Sequence, residues 1–125
     1  VTGGLHHVEL WVADLDAAVA SWGWLLGELG WTEYQRWEHG RSWRYGDGPY
    51  LVVERSPALG GNTHDRMLPG LNHLALRAGS RDDVERLVRA AGRHGWTPVY
   101  PEPFVGAAAY LADPQAFEVE LAVSG

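Results

Sequence analysis

Two histidines and two glutamates stand at matching distances along this chain: His7 precedes Glu54 by 54 − 7 = 47 residues, and His73 precedes Glu120 by 120 − 73 = 47. A lone His on a strand is ordinarily a surface or core residue. Two neutral imidazoles and two carboxylates at equivalent places of a repeat are the donor set that a hard or borderline divalent cation takes. The chain has no Cys. That removes thiol nucleophiles, disulfides, thiolate zinc sites and iron–sulfur clusters, and any metal must rest on His, carboxylate and water. Glu54 and Glu120 are also the candidate proton-transfer groups, because a carboxylate beside an activated carbon can act as a general base.

The elements that must carry these residues follow from a repeat. Gly4-Leu5-His6-His7-Val8-Glu9-Leu10 resembles Gly70-Leu71-Asn72-His73-Leu74-Ala75-Leu76 at an offset of 73 − 7 = 66, which also sets Glu54 on Glu120. Gly30-Trp31-Thr32 recurs as Gly95-Trp96-Thr97 one residue out of step. The whole 1–125 is expected to be one domain made of module one (4–56), a linker rich in Gly and polar residues (57–69) and module two (70–124). Leu5 to Val12 alternates with period two, a strand that puts Val8, Leu10 and Val12 on one face and His7, Glu9 and Trp11 on the other. Asp14 can cap a helix whose apolar stripe is Leu15, Ala18, Val19, Trp22, Leu25, Leu26 and Leu29, with Gly30 as its stop. Trp31 to Glu38, Ser42 to Gly46 and Pro49 to Arg55 read as three strands separated by turns at Gly40 and Asp47-Gly48. In module two a strand over Leu71 to Ala78 leads to a helix opened by Ser80 with Asp83 three residues on, a capping-box pattern. Strands near Thr97 to Tyr100, Ala107 to Ala112 and Phe117 to Val123 complete a second βαβββ unit. The predicted fold is α+β: two tandem βαβββ modules forming a cupped, incomplete mixed β-barrel with the helices outside.

On that architecture His7, Glu9 and Trp11, and His73, Ala75 and Arg77, share the face turned from the helices, as do Glu54, Glu118 and Glu120. Glu9 is placed to orient a ligand His or a substrate, and Arg77 to receive a substrate carboxylate or to neutralise Glu9 or Glu118. Trp11, Trp37 and Trp43 could wall the cup for a cyclic or aromatic ligand, against the ordinary role of Trp as core filling. His6 is expected on the helix side of its strand. His39, His64 and His94 read as surface residues, with His64 and Arg66 placed in the linker where a lid could form.

Leu5-His6-His7-Val8-Glu9-Leu10, the Asp14-Leu15-Asp16 helix opening, Leu25-Leu26-Gly27-Glu28-Leu29-Gly30-Trp31, Gly70-Leu71-Asn72-His73-Leu74-Ala75, and Asp113-Pro114 ahead of Val119-Glu120-Leu121 together resemble the vicinal oxygen chelate superfamily. That group includes glyoxalase I, fosfomycin-resistance enzymes, methylmalonyl-CoA epimerase, extradiol dioxygenases and bleomycin-binding proteins. The stretches Gln35-Arg36-Trp37 and Gly40-Arg41-Ser42-Trp43 resemble a narrower branch of small glyoxalase-like proteins. The resemblance implies a divalent ion (Ni, Co, Zn, Mn or Fe) on His7, Glu54, His73 and Glu120, or on His7, His73 and Glu120 alone. It also implies a homodimer, and a lyase or isomerase acting on a small substrate with adjacent oxygens through a metal-stabilised enediolate. Two other functions fit the same residues: an Fe(II) extradiol-type dioxygenase, and a metal-free protein that sequesters a drug or metabolite. One departure stands out. The Asp-Pro-Asp-Gly turn usual before the last ligand reads Asp113-Pro114-Gln115-Ala116 here.

Composition closes off other classes. Ten Lys and Arg against sixteen Asp and Glu leave a net charge of −6, which repels a phosphate backbone, so nucleic acid is not an expected partner. No long apolar run points to a membrane partner, and Glu9 and Asp14 interrupt what a signal peptide would need, so the expected location is the cytoplasm.

Overall fold

The computed structural model describes residues 1–124. They gather into two compact units, one over Val1–Asn62 and one from Thr63 onward. The first runs β1 (His7–Trp11), α1 (Leu15–Glu28), β2 (Thr32–Trp37), β3 (Gly40–Arg44) and β4 (Tyr50–Glu54). The second runs β5 (Leu74–Arg77), α2 (Arg81–Ala91), a short 3-10 turn (Gly92–His94), β6 (Thr97–Pro98), β7 (Ala108–Ala112) and β8 (Glu118–Ala122). Each unit has the expected βαβββ order and the α+β class. Its four strands form an open mixed sheet, ordered β1-β4-β3-β2 in one and β5-β8-β7-β6 in the other.

The helices begin where short polar side chains can satisfy free backbone N–H groups. Asp14 accepts from the Ala17 amide. Ser80 and Asp83 form a reciprocal capping box, and the Asp83 carboxyl is held below its ordinary range chiefly by the Ser80 amide and then by Arg86. Gly30, at φ 89°, ends the first helix in a conformation that an L side chain resists.

In unit one α1 buries Ala18, Ser21, Trp22, Leu25 and Leu26, and the sheet meets it with Leu10, Val12, Trp43, Leu51 and Val53. Trp43 was a candidate for the wall of the binding face and takes another role. Its indole packs against Gly23 of α1, where an added Cβ would lie 3.3 Å from its ring, and it is 5 % exposed. In β3 it alternates with Ser42, so it points to the helix side of the sheet. In unit two Val84, Ala91, Trp96, Leu111, Val119 and Leu121 make the corresponding core.

Candidate functional site

The side chains opposite the helix in unit one form three rows across the strands. Register pairs His7 with Tyr50 and Tyr50 with Arg44 at one end, Glu9 with Val52 and Val52 with Ser42 in the middle, and Trp11 with Glu54 and Glu54 with Gly40 at the other. The His7 ring stacks on Tyr50 with centroids 4.8 Å apart, and its Nδ1 lies 2.8 Å from Nδ1 of His6. His6 is exposed rather than turned toward the helix. Glu54 accepts a hydrogen bond of 3.3 Å from the Trp37 indole, and Glu9 accepts one of 2.7 Å from Trp11. His7 and Glu54 therefore sit at opposite ends of the β1–β4 ladder, four residues or about 13 Å apart along the strands.

Unit two is built differently on the equivalent face. Its parallel ladder pairs Leu74 with Val119 and Ala75 with Glu120, whereas Val8 of unit one pairs with Leu51. Taking Val8 with Leu74 as the repeat directs, Leu51 matches Val119 and Val52 matches Glu120. The last strand thus runs two residues off the offset that set Glu54 on Glu120. Because a two-residue shift preserves the face of a strand, the period-two pattern carries no sign of it.

That register brings His73 and Glu120 together, with Nε2 of one 3.1 Å from Oε1 of the other. Tyr110, directly opposite on β7, donates its hydroxyl to the same Oε1 at 3.0 Å. Its phenol is pushed above its ordinary value, first by that hydrogen bond and then by burial, since losing the proton would set a phenolate against a carboxylate. Asn72 Oδ1 lies 2.7 Å from Nδ1 of His73, fixing the ring from its other edge, while Asn72 Nδ2 donates to the Arg66 carbonyl. Both His73 and Glu120 remain reachable, their side chains being 33 % and 23 % exposed. Sequence reading passed over Tyr110 and Asn72. Tyr110 could have been found from the outward alternation of β7 against Glu120, once its register was known.

The remaining candidates are placed as follows. Arg77 is exposed beside Ala122 at the far end of β5. Glu118 is buried and meets Arg66 at 3.5 Å. His64 is a staple, stacked on Phe117 with centroids 4.5 Å apart and held at 2.7 Å to the Leu71 carbonyl. Asp113 accepts from the amides of Gln115 and Phe117, both at 2.9 Å, and so shapes the turn that delivers β8.

A divalent ion with bonds of about 2.1 Å places neighbouring ligands about 3 Å apart at right angles, and the His73–Glu120 separation fits two such corners. A pair is not a site. Among the described residues, no group of three or more His, Asp or Glu is placed to hold a metal ion.

Two open mixed sheets, each with its helix, and a polar face bearing His and Glu define a glyoxalase-like fold. Residues 6–112 match the Glyoxalase/Bleomycin resistance protein/Dioxygenase superfamily, and the chain belongs to that family. It is 40 % identical to the uncharacterized protein YqjT of Bacillus subtilis, covering 94 % of this chain and 96 % of that one. A crystal structure described as a candidate glyoxalase from Bacillus halodurans superposes with a TM-score of 0.88 at 38 % identity, covering 98 % of this chain and 96 % of its own. A glyoxalase/bleomycin resistance protein from Albidiferax ferrireducens shares the fold with a TM-score of 0.78 at 19 % identity, covering 97 % and 98 %. No helix among the described residues is long and apolar enough to cross a membrane.

Proposed function

We propose that this chain is a glyoxalase-like lyase or isomerase in which Glu120 moves a proton on a small substrate carrying two adjacent oxygens. The observation that carries this reading is the convergence of His73 Nε2 and Tyr110 OH on Oε1 of Glu120, at 3.1 and 3.0 Å. The Tyr110 hydroxyl, which donates to this oxygen, and the His73 ring beside it hold the carboxylate in a single orientation, as a positioned base requires. Its other oxygen can then take the proton from the carbon that bears the substrate hydroxyl, the C–H electron pair passing to the neighbouring carbonyl. Return of that proton to the former carbonyl carbon, as the hydroxyl proton passes to the neighbouring enediolate oxygen and the first carbon becomes the carbonyl, gives isomerisation.

Family members often bind divalent ions, and a bound ion would supply Lewis-acid polarisation of the two substrate oxygens. His73 and Glu120 are the residues of unit two that would hold it. Because the donors at hand stop at a pair, no step is assigned to the ion. Ligand sequestration without chemistry is the alternative that the test below separates from this reading. We further propose that the chain works as a homodimer in the cytoplasm, so sedimentation should give twice its 13.8 kDa.

The test follows loss of the carbon-bound proton signal of dihydroxyacetone, glycolaldehyde and related α-hydroxycarbonyl compounds in D2O, with and without added Ni, Co, Zn, Mn or Fe(II). Exchange by the wild type is expected, and Glu120→Gln should slow it by about 10²-fold or more, the usual worth of a positioned base. No exchange under any of these conditions overturns the reading, and tight binding without turnover establishes sequestration in its place. Oxygen uptake with Fe(II) and a catechol would establish the dioxygenase.

A further inference from the structure

One end of the polar face in unit one carries a row that the proton-transfer reading leaves unused. Across the strands β1, β4, β3 and β2, register sets Trp11 beside Glu54, Glu54 beside Gly40, and Gly40 beside Trp37. Gly40 lets the row close. A Cβ there would collide with Cζ2 of Trp37, so the indole lies directly on the glycine backbone and reaches over it to hydrogen-bond Glu54. Trp11 stands on the opposite side of Glu54, 42 % exposed, with its N–H on Glu9.

Among the described residues, the side-chain hydrogen bonds to Glu9 and Glu54 come from these neutral indole N–H groups. Among the described residues neither carboxylate forms an ion pair. Arg41, next to Gly40 on β3, gives its Nη1 to the carbonyls of Trp37 and Gly40 and its Nε faces Glu33 at 3.7 Å. The N–H bonds turn an edge of each indole toward a carboxylate, and the exposed Trp11 ring stands beside a Glu54 that no ion pair answers among the described residues.

We propose that the Trp11–Glu54–Trp37 row binds an organic ammonium ion, with a quaternary ammonium group as its best occupant. Ring faces attract a cation through their quadrupole, most strongly for Trp, and Glu54 adds the counter-charge. Since Glu54 Oε1 and Glu9 Oε2 already accept indole protons, a cation that needs charge and apolar contact without donating a hydrogen bond suits the row. Glu54 thereby gains a role that does not depend on a metal, in keeping with its distance from His7.

The experiment titrates the full chain, labelled with nitrogen-15, with choline and separately with 3,3-dimethylbutan-1-ol, its neutral isostere, following the indole N–H signals of Trp11 and Trp37. Choline should shift both signals saturably, the isostere should bind at least tenfold more weakly, and Glu54→Gln and Trp11→Leu should each weaken choline by tenfold or more. Trp11 is exposed, so its replacement leaves the core intact even if Glu54→Gln disturbs the sheet. Equal affinity for choline and the isostere, wild-type affinity in both variants, or no saturable shift at tens of millimolar would each overturn the proposal. The titration is repeated on Glu120→Gln, where choline binding should persist, so the ammonium site and the proton-transfer reading stand or fall separately.

Discussion

The two units share an order of elements and differ in how their outer parallel strands meet. In unit one Val8 lies opposite Leu51; in unit two Leu74, its repeat partner, lies opposite Val119, two residues further along than the offset of 66 allows. A shift of two keeps every side chain on its face, so both cores survive unchanged while the polar groups move by roughly 6–7 Å along the strand. Unit two consequently assembles His73, Glu120 and Tyr110 into one hydrogen-bonded cluster, whereas unit one parts His7 from Glu54 and gives each an aromatic neighbour. Duplication preserves what packing against the helix enforces and frees what the opposite face carries.

If the cores are the conserved part, the largest losses should be alike in both units. Trp22 on α1 and Trp96 after α2 are each fully buried. Trp22→Ala and Trp96→Ala should each reduce stability by about 3–5 kcal/mol in denaturant unfolding, the range for emptying a buried aromatic site. A near-zero effect in either would break the equivalence of the cores.

The register itself can be tested by giving unit one the carboxylate that unit two has. Val52 occupies the position of Glu120 and is 4 % exposed. Val52→Glu should destabilise by about 2–3 kcal/mol, since a charge is placed where an apolar group was buried. It should also place a carboxylate within hydrogen-bond reach of the His7 ring, as Glu120 is of His73. A crystal structure of the variant reads this directly, and a His7 ring left without the new carboxylate would mean that the two faces are not related by register.

The parts of the molecule visible in the sequence are those governed by short-range rules. Alternation gave β1 and β4 to within a residue or two, Asp14 and the Ser80–Asp83 box marked the helix starts, and Gly30 marked the end of α1. The His73–Glu120 contact was within reach of the same patterns. Glu54 shows where they stop: ladder register depends on which strands meet and on the turns between them, and equal spacing of 47 residues in both halves says nothing about it. Trp43 shows a second limit, because a Trp at a strand position next to the alternation boundary reads equally well as wall or core until the helix that covers it is known. Tyr110 lay unseen for a third reason, since its role exists only through a cross-strand partner.

The turn before β8 is a smaller point of difference. Buried Asp113 holds the amides of Gln115 and Phe117 from inside the turn. Asp113→Ala should lose about 2 kcal/mol, the worth of hydrogen bonds to a charged acceptor in a buried place. Because that turn delivers Glu118 and Glu120, the variant should also weaken proton exchange, whereas changes at the exposed β3–β4 turn should leave exchange intact.

The smallest effect lies in the backbone of those same two turns. The β3–β4 turn puts Gly46 at φ 55°, and the β7–β8 turn puts Ala116 at φ 70°, the one residue other than Gly with positive φ among those described. An L side chain in that region costs roughly 1–2 kcal/mol, and glycine returns about 0.5–1 of it through the greater freedom of its unfolded chain. Ala116→Gly should therefore stabilise by about 0.5 kcal/mol. Gly46→Ala should destabilise by a comparable amount, and since a Cβ at Gly46 meets nothing within 4 Å, only the backbone conformation is at stake. Opposite shifts of the thermal midpoint, a few degrees or less each, would show that both turns sit in the left-handed region and that unit two alone carries the strain there. Shifts of the same sign would mean that Ala116 is held by contacts of its methyl group, and that the two turns are not counterparts in energy although they are in sequence.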